Sequence, residues 1–144
     1  MGESVRLHHF GFVVAAIAPC IEAFRHSMDA SWDGKIIEDP LQKVRVAFLA
    51  RGEHEPQIEL VEPVGDASPV RKFLAEKGGG LHHVCYETDD LKAEVQGFRS
   101  RGAILARPAL PAAAFGGRKI AWVMTREKLL IEVLESTLAN PAAS

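Results

Sequence analysis

The sequence predicts an α+β fold made of two tandem βαβββ modules, and two observations carry the prediction. The first is an internal repeat. Leu7-His8-His9-Phe10-Gly11-Phe12-Val13-Val14 returns 74 positions later as Leu81-His82-His83-Val84-Cys85-Tyr86-Glu87-Thr88. Val44-Arg45-Val46-Ala47-Phe48-Leu49 has its counterpart, again 74 on, in Arg118-Lys119-Ile120-Ala121-Trp122-Val123. Ile58-Glu59-Leu60-Val61-Glu62 returns after 73 positions as Ile131-Glu132-Val133-Leu134-Glu135. The second observation is the change of hydrophobic period within each half. One helical stripe sits among stretches of strand-like apolar sequence.

In the first half, strands are predicted over residues 6–14, 33–38, 43–50 and 56–62. Between the first two, Ile17, Ile21, Phe24 and Met28 recur at i, i+4, i+7 and i+11, one face of a helix. Pro19 is placed in the first turn of that helix, where a missing N–H is harmless. The connector 64–79 carries a short helix over Ser68–Lys77, closed by Gly78-Gly79-Gly80. In the second half, strands are predicted over 81–88, 103–107, 118–124 and 129–135. Leu91, Val95 and Phe98 mark the apolar face of its helix, with Asp89 or Asp90 as N-cap and Gly102 as the C-terminal stop. The modules therefore span about 5–63 and 80–136 of a single domain 1–144, and the tail from Thr137 to Ser144 is expected to fray. The modules are expected to pair into one curved, mainly antiparallel sheet around a cleft, with the helices outside. Extended sheet edges in so short a chain favour a homodimer.

Composition bounds the function. Of 144 residues, 47% are hydrophobic and 25% charged, ordinary for a globular protein. A net charge of −2 supplies no basic face for nucleic acid. No apolar run reaches the length of a membrane span. Cys20 and Cys85 form no close-spaced pair and read as reduced thiols of a cytoplasmic protein. Phe10 to Cys20 is preceded by little positive charge and contains Pro19. It reads as strand then helix rather than as a signal peptide, so the mature chain is expected to begin near Met1.

Strand alternation places the candidate ligands. His9, Gly11 and Val13 share one face of the first strand, with His8, Phe10 and Phe12 on the other. Glu59 and Val61 oppose Ile58 and Leu60, and Glu132 is flanked by Ile131 and Val133. If those four aliphatic residues pack beneath the helices, both carboxylates point into the opposite, concave face. A carboxylate there must be paired, protonated or metal-bound, because isolated burial costs several kcal/mol. Two His and two Glu in repeat register point to a divalent-metal site of His9, Glu59, His83 and Glu132, against the alternative of core histidines bonded to backbone. Mixed imidazole and carboxylate ligation suits Co, Ni, Zn, Mn or Fe. His8 and His82, on the opposite face, are expected to be structural or to lie behind the ligands, and His26 and His54 to lie on the surface. Glu62 and Glu135 are expected to be solvated strand ends. Arg45, Arg118 and Lys119 are exposed strand cations, or else hold a carboxylate or phosphate of a substrate. Gly116-Gly117 reads as a turn, not a phosphate loop.

The βαβββ repeat, with His on its first strand and Glu on its fourth, resembles the vicinal oxygen chelate superfamily. That group includes glyoxalase I, methylmalonyl-CoA epimerase, extradiol dioxygenases and bleomycin-resistance proteins. The epimerase branch is most similar, through Ile58 to Pro63, Ser68-Pro69-Val70, Phe73-Leu74, Gly79 to Val84, Tyr86 to Leu91, Gly116-Gly117-Arg118 and Leu130 to Val133. The resemblance implies one divalent ion on His9, Glu59, His83 and Glu132. It also implies a metal-dependent isomerase that abstracts a proton beside a carbonyl through a stabilised enolate, with Glu132 or Glu59 as acid–base group. The implied substrate is an acyl-CoA or similar thioester. The alternatives are a glyoxalase I-like lyase and a non-enzymatic binding protein of the resistance type. An extradiol dioxygenase would need only His9, His83 and Glu132, so Glu59 counts against it. The chain departs from the epimerase pattern at Met124-Thr125, where His-Pro is usual, at Val46, where some epimerases carry a catalytic Glu, and at Phe24-Arg25, where an aromatic pair is usual. The loop before its last strand is also shorter.

Overall fold

The computed structural model describes residues 5–137, so the fraying expected of 138–144 and the start of the chain at Met1 lie outside the described residues. Nine strands and three α-helices follow one another as β1 (Val5–Val13), α1 (Ile21–Met28), β2 (Ser31–Trp32), β3 (Ile37–Asp39), β4 (Val44–Ala50), β5 (Gln57–Pro63), α2 (Arg71–Lys77), β6 (Gly80–Thr88), α3 (Leu91–Ser100), β7 (Ile104–Pro111), β8 (Lys119–Met124) and β9 (Leu130–Glu135). The fold is α+β, as predicted. It divides into two compact units, one of His9–His82 and one of the residues before His9 and after His82.

In the unit His9–His82 the strands lie in the order β2-β4-β5-β1, with β3 also on β4. β1 and β5 run parallel, with Gly11 opposite Glu59 and Val13 opposite Val61. β4 and β5 run antiparallel, pairing Phe48 with Glu59 and Arg45 with Glu62. Ile17 and Ile21 bury their side chains against Ala47, Leu49 and Leu60, with Phe12, Phe24 and Ile58 at the margin of the cluster. The aliphatic face of β5 thus packs under α1, which turns Glu59 to the other face. Of the expected strand 33–38 only the end is a strand, β3; β2 lies just before the range, and residues 33–36 are in no strand. Gly34 takes a left-handed conformation (φ +83°), and Asp33 Oδ1 accepts the N–H of Lys35 at 2.9 Å. That local turn interrupts the pairing with β4 between β2 and β3. Pro19 sits one turn earlier than predicted, in the bend before α1, whose N-cap is Cys20. α2 starts at Arg71 rather than Ser68, because Ser68 closes a turn by accepting the Arg71 N–H. Gly78 caps α2 in the left-handed conformation, donating its N–H to the Leu74 carbonyl.

The other unit orders its strands β6-β9-β8-β7. β6 and β9 run parallel, placing Cys85 opposite Glu132. β8 pairs antiparallel with β9, Trp122 opposite Glu132. Val123, Ile131 and Val133 form its core, with Leu91, Val95 and Phe98 of α3 against them, so Glu132 is turned away from α3 as Glu59 is from α1. Asp90 is the N-cap of α3, its Oδ1 accepting the Ala93 N–H at 3.1 Å, and Gly102 follows the last turn at φ +105°. β7 runs past the expected end at residue 107 to Pro111. Its pairing with β8 shifts register between Leu105 and Arg107 and again between Arg107 and Leu110, which accommodates Pro108, a residue with no ladder donor. Within each unit the β1–β5 and β6–β9 pairs are parallel and the other pairs antiparallel. No helix among the described residues is long and apolar enough to cross a membrane.

Candidate metal centre

Each unit holds one buried His–Glu pair on neighbouring parallel strands. In the unit His9–His82, β1 carries His9 two residues before Gly11, and Gly11 lies opposite Glu59 of β5. His9 is fully buried and Glu59 is 5% exposed. His9 Nε2 lies 3.3 Å from Glu59 Oε1. In the other unit His83 stands two residues before Cys85, itself opposite Glu132. His83 Nε2 lies 3.5 Å from Glu132 Oε1, and both side chains are buried. The two pairs are repeat equivalents, built the same way from the same strand positions.

These pairs fit a first-row divalent ion. Neighbouring ligands with bonds near ~2.1 Å place their donor atoms roughly 3 Å apart, close to the separations within both pairs. Each pair combines an imidazole with a carboxylate, a donor set accepted by several such metals.

An aromatic side chain accompanies each pair. Phe48 stands 5.6 Å from the His9 ring with the planes at 75°. Trp122 stands 4.7 Å from the His83 ring with the planes at 84°. His8 and His82, on the opposite strand face, meet Phe115 at 5.5 Å and Phe73 at 4.9 Å, both edge-on. These are packing contacts, in line with a structural role.

The charged residues at strand ends depart from expectation. Glu62 is no solvated terminus. Its Oε1 accepts the N–H of buried Ile17 at 2.7 Å, and its Oε2 meets Arg45 Nη1 at 2.8 Å with the Glu62 side chain only 15% exposed. Strand pairing explains this, since Arg45 lies directly across from Glu62. Glu62 and then Glu38 hold the Arg45 guanidinium above its ordinary pKa. Glu135 likewise accepts a backbone N–H, from Lys119 at 2.8 Å. Arg118 is not a bare strand cation: it donates to Glu87 Oε2 at 2.8 Å and to the carbonyls of Phe115 and Ser136. Glu87, which the sequence reading passed over, joins Arg118 to Arg6, its Oε1 being 2.8 Å from Arg6 Nε. An acidic residue inside an apolar strand was the available signal. Burial pushes the Cys20 thiol above its ordinary pKa, and the Glu62 charge adds to this, against a backbone hydrogen bond that lowers it. Cys20 also borders an open hollow of about 480 Å³ with residues 12–16, Pro19 and the glycines 78–80.

Residues 8–122 match the family described as the Glyoxalase/Bleomycin resistance protein/Dioxygenase superfamily. The chain belongs to this superfamily. Among the relatives of this superfamily member, an uncharacterised Bacillus subtilis protein, YqjC, is 32% identical over 133 residues, which cover 90% of this chain and 91% of the relative. An ethylmalonyl-CoA/methylmalonyl-CoA epimerase of Cereibacter sphaeroides is 27% identical over 123 residues, covering 85% and 90%. The crystal structure of methylmalonyl-CoA epimerase from Mycobacterium tuberculosis matches with a TM-score of 0.79 at 27% identity, over 96% of this chain and 91% of that one. The likeness to the superfamily and to its epimerases, read first from the motifs, therefore stands.

Proposed function

We propose that the chain is a metal-dependent isomerase of the methylmalonyl-CoA epimerase kind, with His9, Glu59, His83 and Glu132 holding one divalent ion and an acyl-CoA or related thioester as substrate. The observation that carries this is the duplicated buried His–Glu pair. Relatives named as epimerases support the reaction class. When bound, a divalent ion of cobalt, nickel, zinc, manganese or iron supplies Lewis-acid stabilisation of negative charge on a carbonyl oxygen.

The protein groups then divide the work. His9 and His83 offer neutral nitrogen donors and stay in place, each buried and braced by an aromatic ring. Glu132 takes the proton from the carbon beside the carbonyl. Glu59 serves the opposite face of that carbon, as a change of configuration requires. Val46, where some epimerases carry a carboxylate, is 3% exposed and offers no proton site, which leaves the acid–base work to these two. A glyoxalase I-like lyase acting on a thiol adduct is the second reading. Met124-Thr125, in place of the His-Pro usual in epimerases, favours it. A cytoplasmic homodimer completes the proposal. Ile104 and Leu105 of β7, 65% and 37% exposed, are apolar surface that a second copy would cover.

The test has two stages. Protein purified without chelators is assayed for metal, with roughly one ion per chain expected and the ion lost from His9→Ala and His83→Ala. Metal-loaded protein is then offered acyl-CoAs and hemithioacetals in deuterated water. Exchange beside the thioester carbonyl that disappears in both Glu59→Gln and Glu132→Gln supports the epimerase. Turnover of a hemithioacetal with one of the two dispensable supports the lyase. No exchange into any compound at full metal occupancy supports a binding protein of the resistance type. Undiminished metal in both His variants refutes the ligand assignment.

A further inference from the structure

We propose that Phe48 and Trp122 are positioning residues for the two His–Glu pairs, each holding the imidazole of its own unit with Nε2 toward the carboxylate. The inference rests on the metal-site reading above. Three observations converge on it. Phe48 and Trp122 occupy the same repeat position, 74 residues apart. Each lies directly across the strand ladder from the Glu of its pair, Phe48 from Glu59 and Trp122 from Glu132. Each also stands nearly perpendicular to the His of that pair, at centroid distances of 5.6 and 4.7 Å.

One aromatic residue therefore packs on the histidine of each pair and stands beside its Glu in the ladder. Side chains directly opposite on antiparallel strands have Cβ atoms about 5 Å apart, so the ring flanks the carboxylate laterally. Its perpendicular contact then fixes the plane of the imidazole. That plane needs fixing, because the terminal torsion of a histidine is broad and roughly two-fold. A half-turn exchanges the ring edges and brings carbon where Nε2 should face the Glu. Perpendicular ring pairs have a defined geometry favoured by the aromatic quadrupole, which an aliphatic residue of similar bulk does not supply. Both aromatic residues are half-buried, whereas the histidines behind them are buried. They thus also screen the histidines from water.

The test compares Trp122→Ala, Trp122→Phe and Phe48→Ala with the parent, using Co²⁺ alone as the probe. Metal affinity is measured by calorimetry, and the metal-free histidine side chains are followed by proton–nitrogen correlation spectra. Trp122→Ala is expected to bind Co²⁺ on the order of tenfold more weakly and to show His83 averaging between ring orientations while His9 stays fixed. Trp122→Phe should restore both readouts, because Phe already does this work at position 48. Phe48→Ala should loosen His9 and spare His83, and it serves as the second variant if Trp122→Ala fails to fold. A merely structural role would lower the unfolding temperature and move neither readout. Alanine variants with parental affinity and ordered histidines overturn the proposal. If the parent itself binds no Co²⁺, the metal reading fails, and the histidine spectra alone decide whether the aromatic residues position the rings.

Discussion

Replacing Glu62 by alanine should destabilise the fold far more than the same change at Glu135, although the two are repeat equivalents. Glu62 accepts the Ile17 N–H at 2.7 Å, and Ile17 is fully buried, so water cannot readily take over the bond. A hydrogen bond to a charged group contributes about 1.5–3 kcal/mol. The Arg45 pair adds little, since the Arg45 side chain is 44% exposed and screened by solvent. The loss of the Ile17 bond alone, roughly 1.5–3 kcal/mol, lowers the Tm of a chain of this size by about 5–10 °C. Glu135 bonds the Lys119 N–H where solvent can replace it, so its loss should cost about 1 kcal/mol or less. Urea unfolding of both variants, with Glu62→Gln as a third, measures the difference. Gln keeps an oxygen for the Ile17 N–H and should recover at least half of the loss. If Glu62→Ala costs no more than Glu135→Ala, Glu62 is not the brace of the turn into α1.

Two further outcomes follow from local geometry and burial. Gly79→Ala should cost more than Gly78→Ala: both sit at positive φ, but a Cβ on Gly79 would come 2.8 Å from the Val13 carbonyl oxygen, whereas on Gly78 it meets nothing within 4 Å. The conformational penalty common to both is about 1–3 kcal/mol, and thermal unfolding reports the excess for Gly79. Cys20, with its thiol held protonated by burial and then by Glu62, should alkylate with a pH midpoint above that of the unfolded chain. As pH rises through the unfolded thiol's range towards the folded value, the unfolded state ionises first and stability falls. Glu62→Ala should bring the midpoint down, and an unchanged or higher midpoint would remove Glu62 from the account.

Much of this was legible in the sequence because the chain is duplicated. A lone His9 in an apolar strand reads as a core residue. The same residue at the same position 74 residues on, with Glu59 and Glu132 in step, reads as a site. Alternation then assigned the faces correctly, since Ile58, Leu60, Ile131 and Val133 had to cover the helices. Features set by cross-strand neighbours were not legible. Glu62 looked solvated because nothing along the chain shows that Arg45 lies across from it or that Ile17 folds back to it. Arg118 looked like a free cation because Glu87 is 31 positions away. The break between β2 and β3 turns on one left-handed glycine and one Asp side chain, while β7 outlasts its prolines because register shifts absorb them. Phe48 and Trp122 stood in the repeat as printed, but their bearing on the histidines follows from ladder register, which a single strand does not reveal.

The parallel pairing of β1 with β5 and of β6 with β9 bears on the order of folding events. His9 is 50 positions from Glu59, and His83 is 49 from Glu132. Parallel neighbours cannot be joined by a tight hairpin, so each pair meets only after a whole helix and two or more strands have been laid between its members. The entropy of closing such long loops is lost before the contacts are gained, which slows this class of pairing relative to local helices and hairpins. Both His–Glu pairs should therefore form late, after α1, α3 and the β4–β5 and β8–β9 hairpins. A chain emerging from synthesis would present single imidazoles and single carboxylates, each a weak ligand, until the crossover closes.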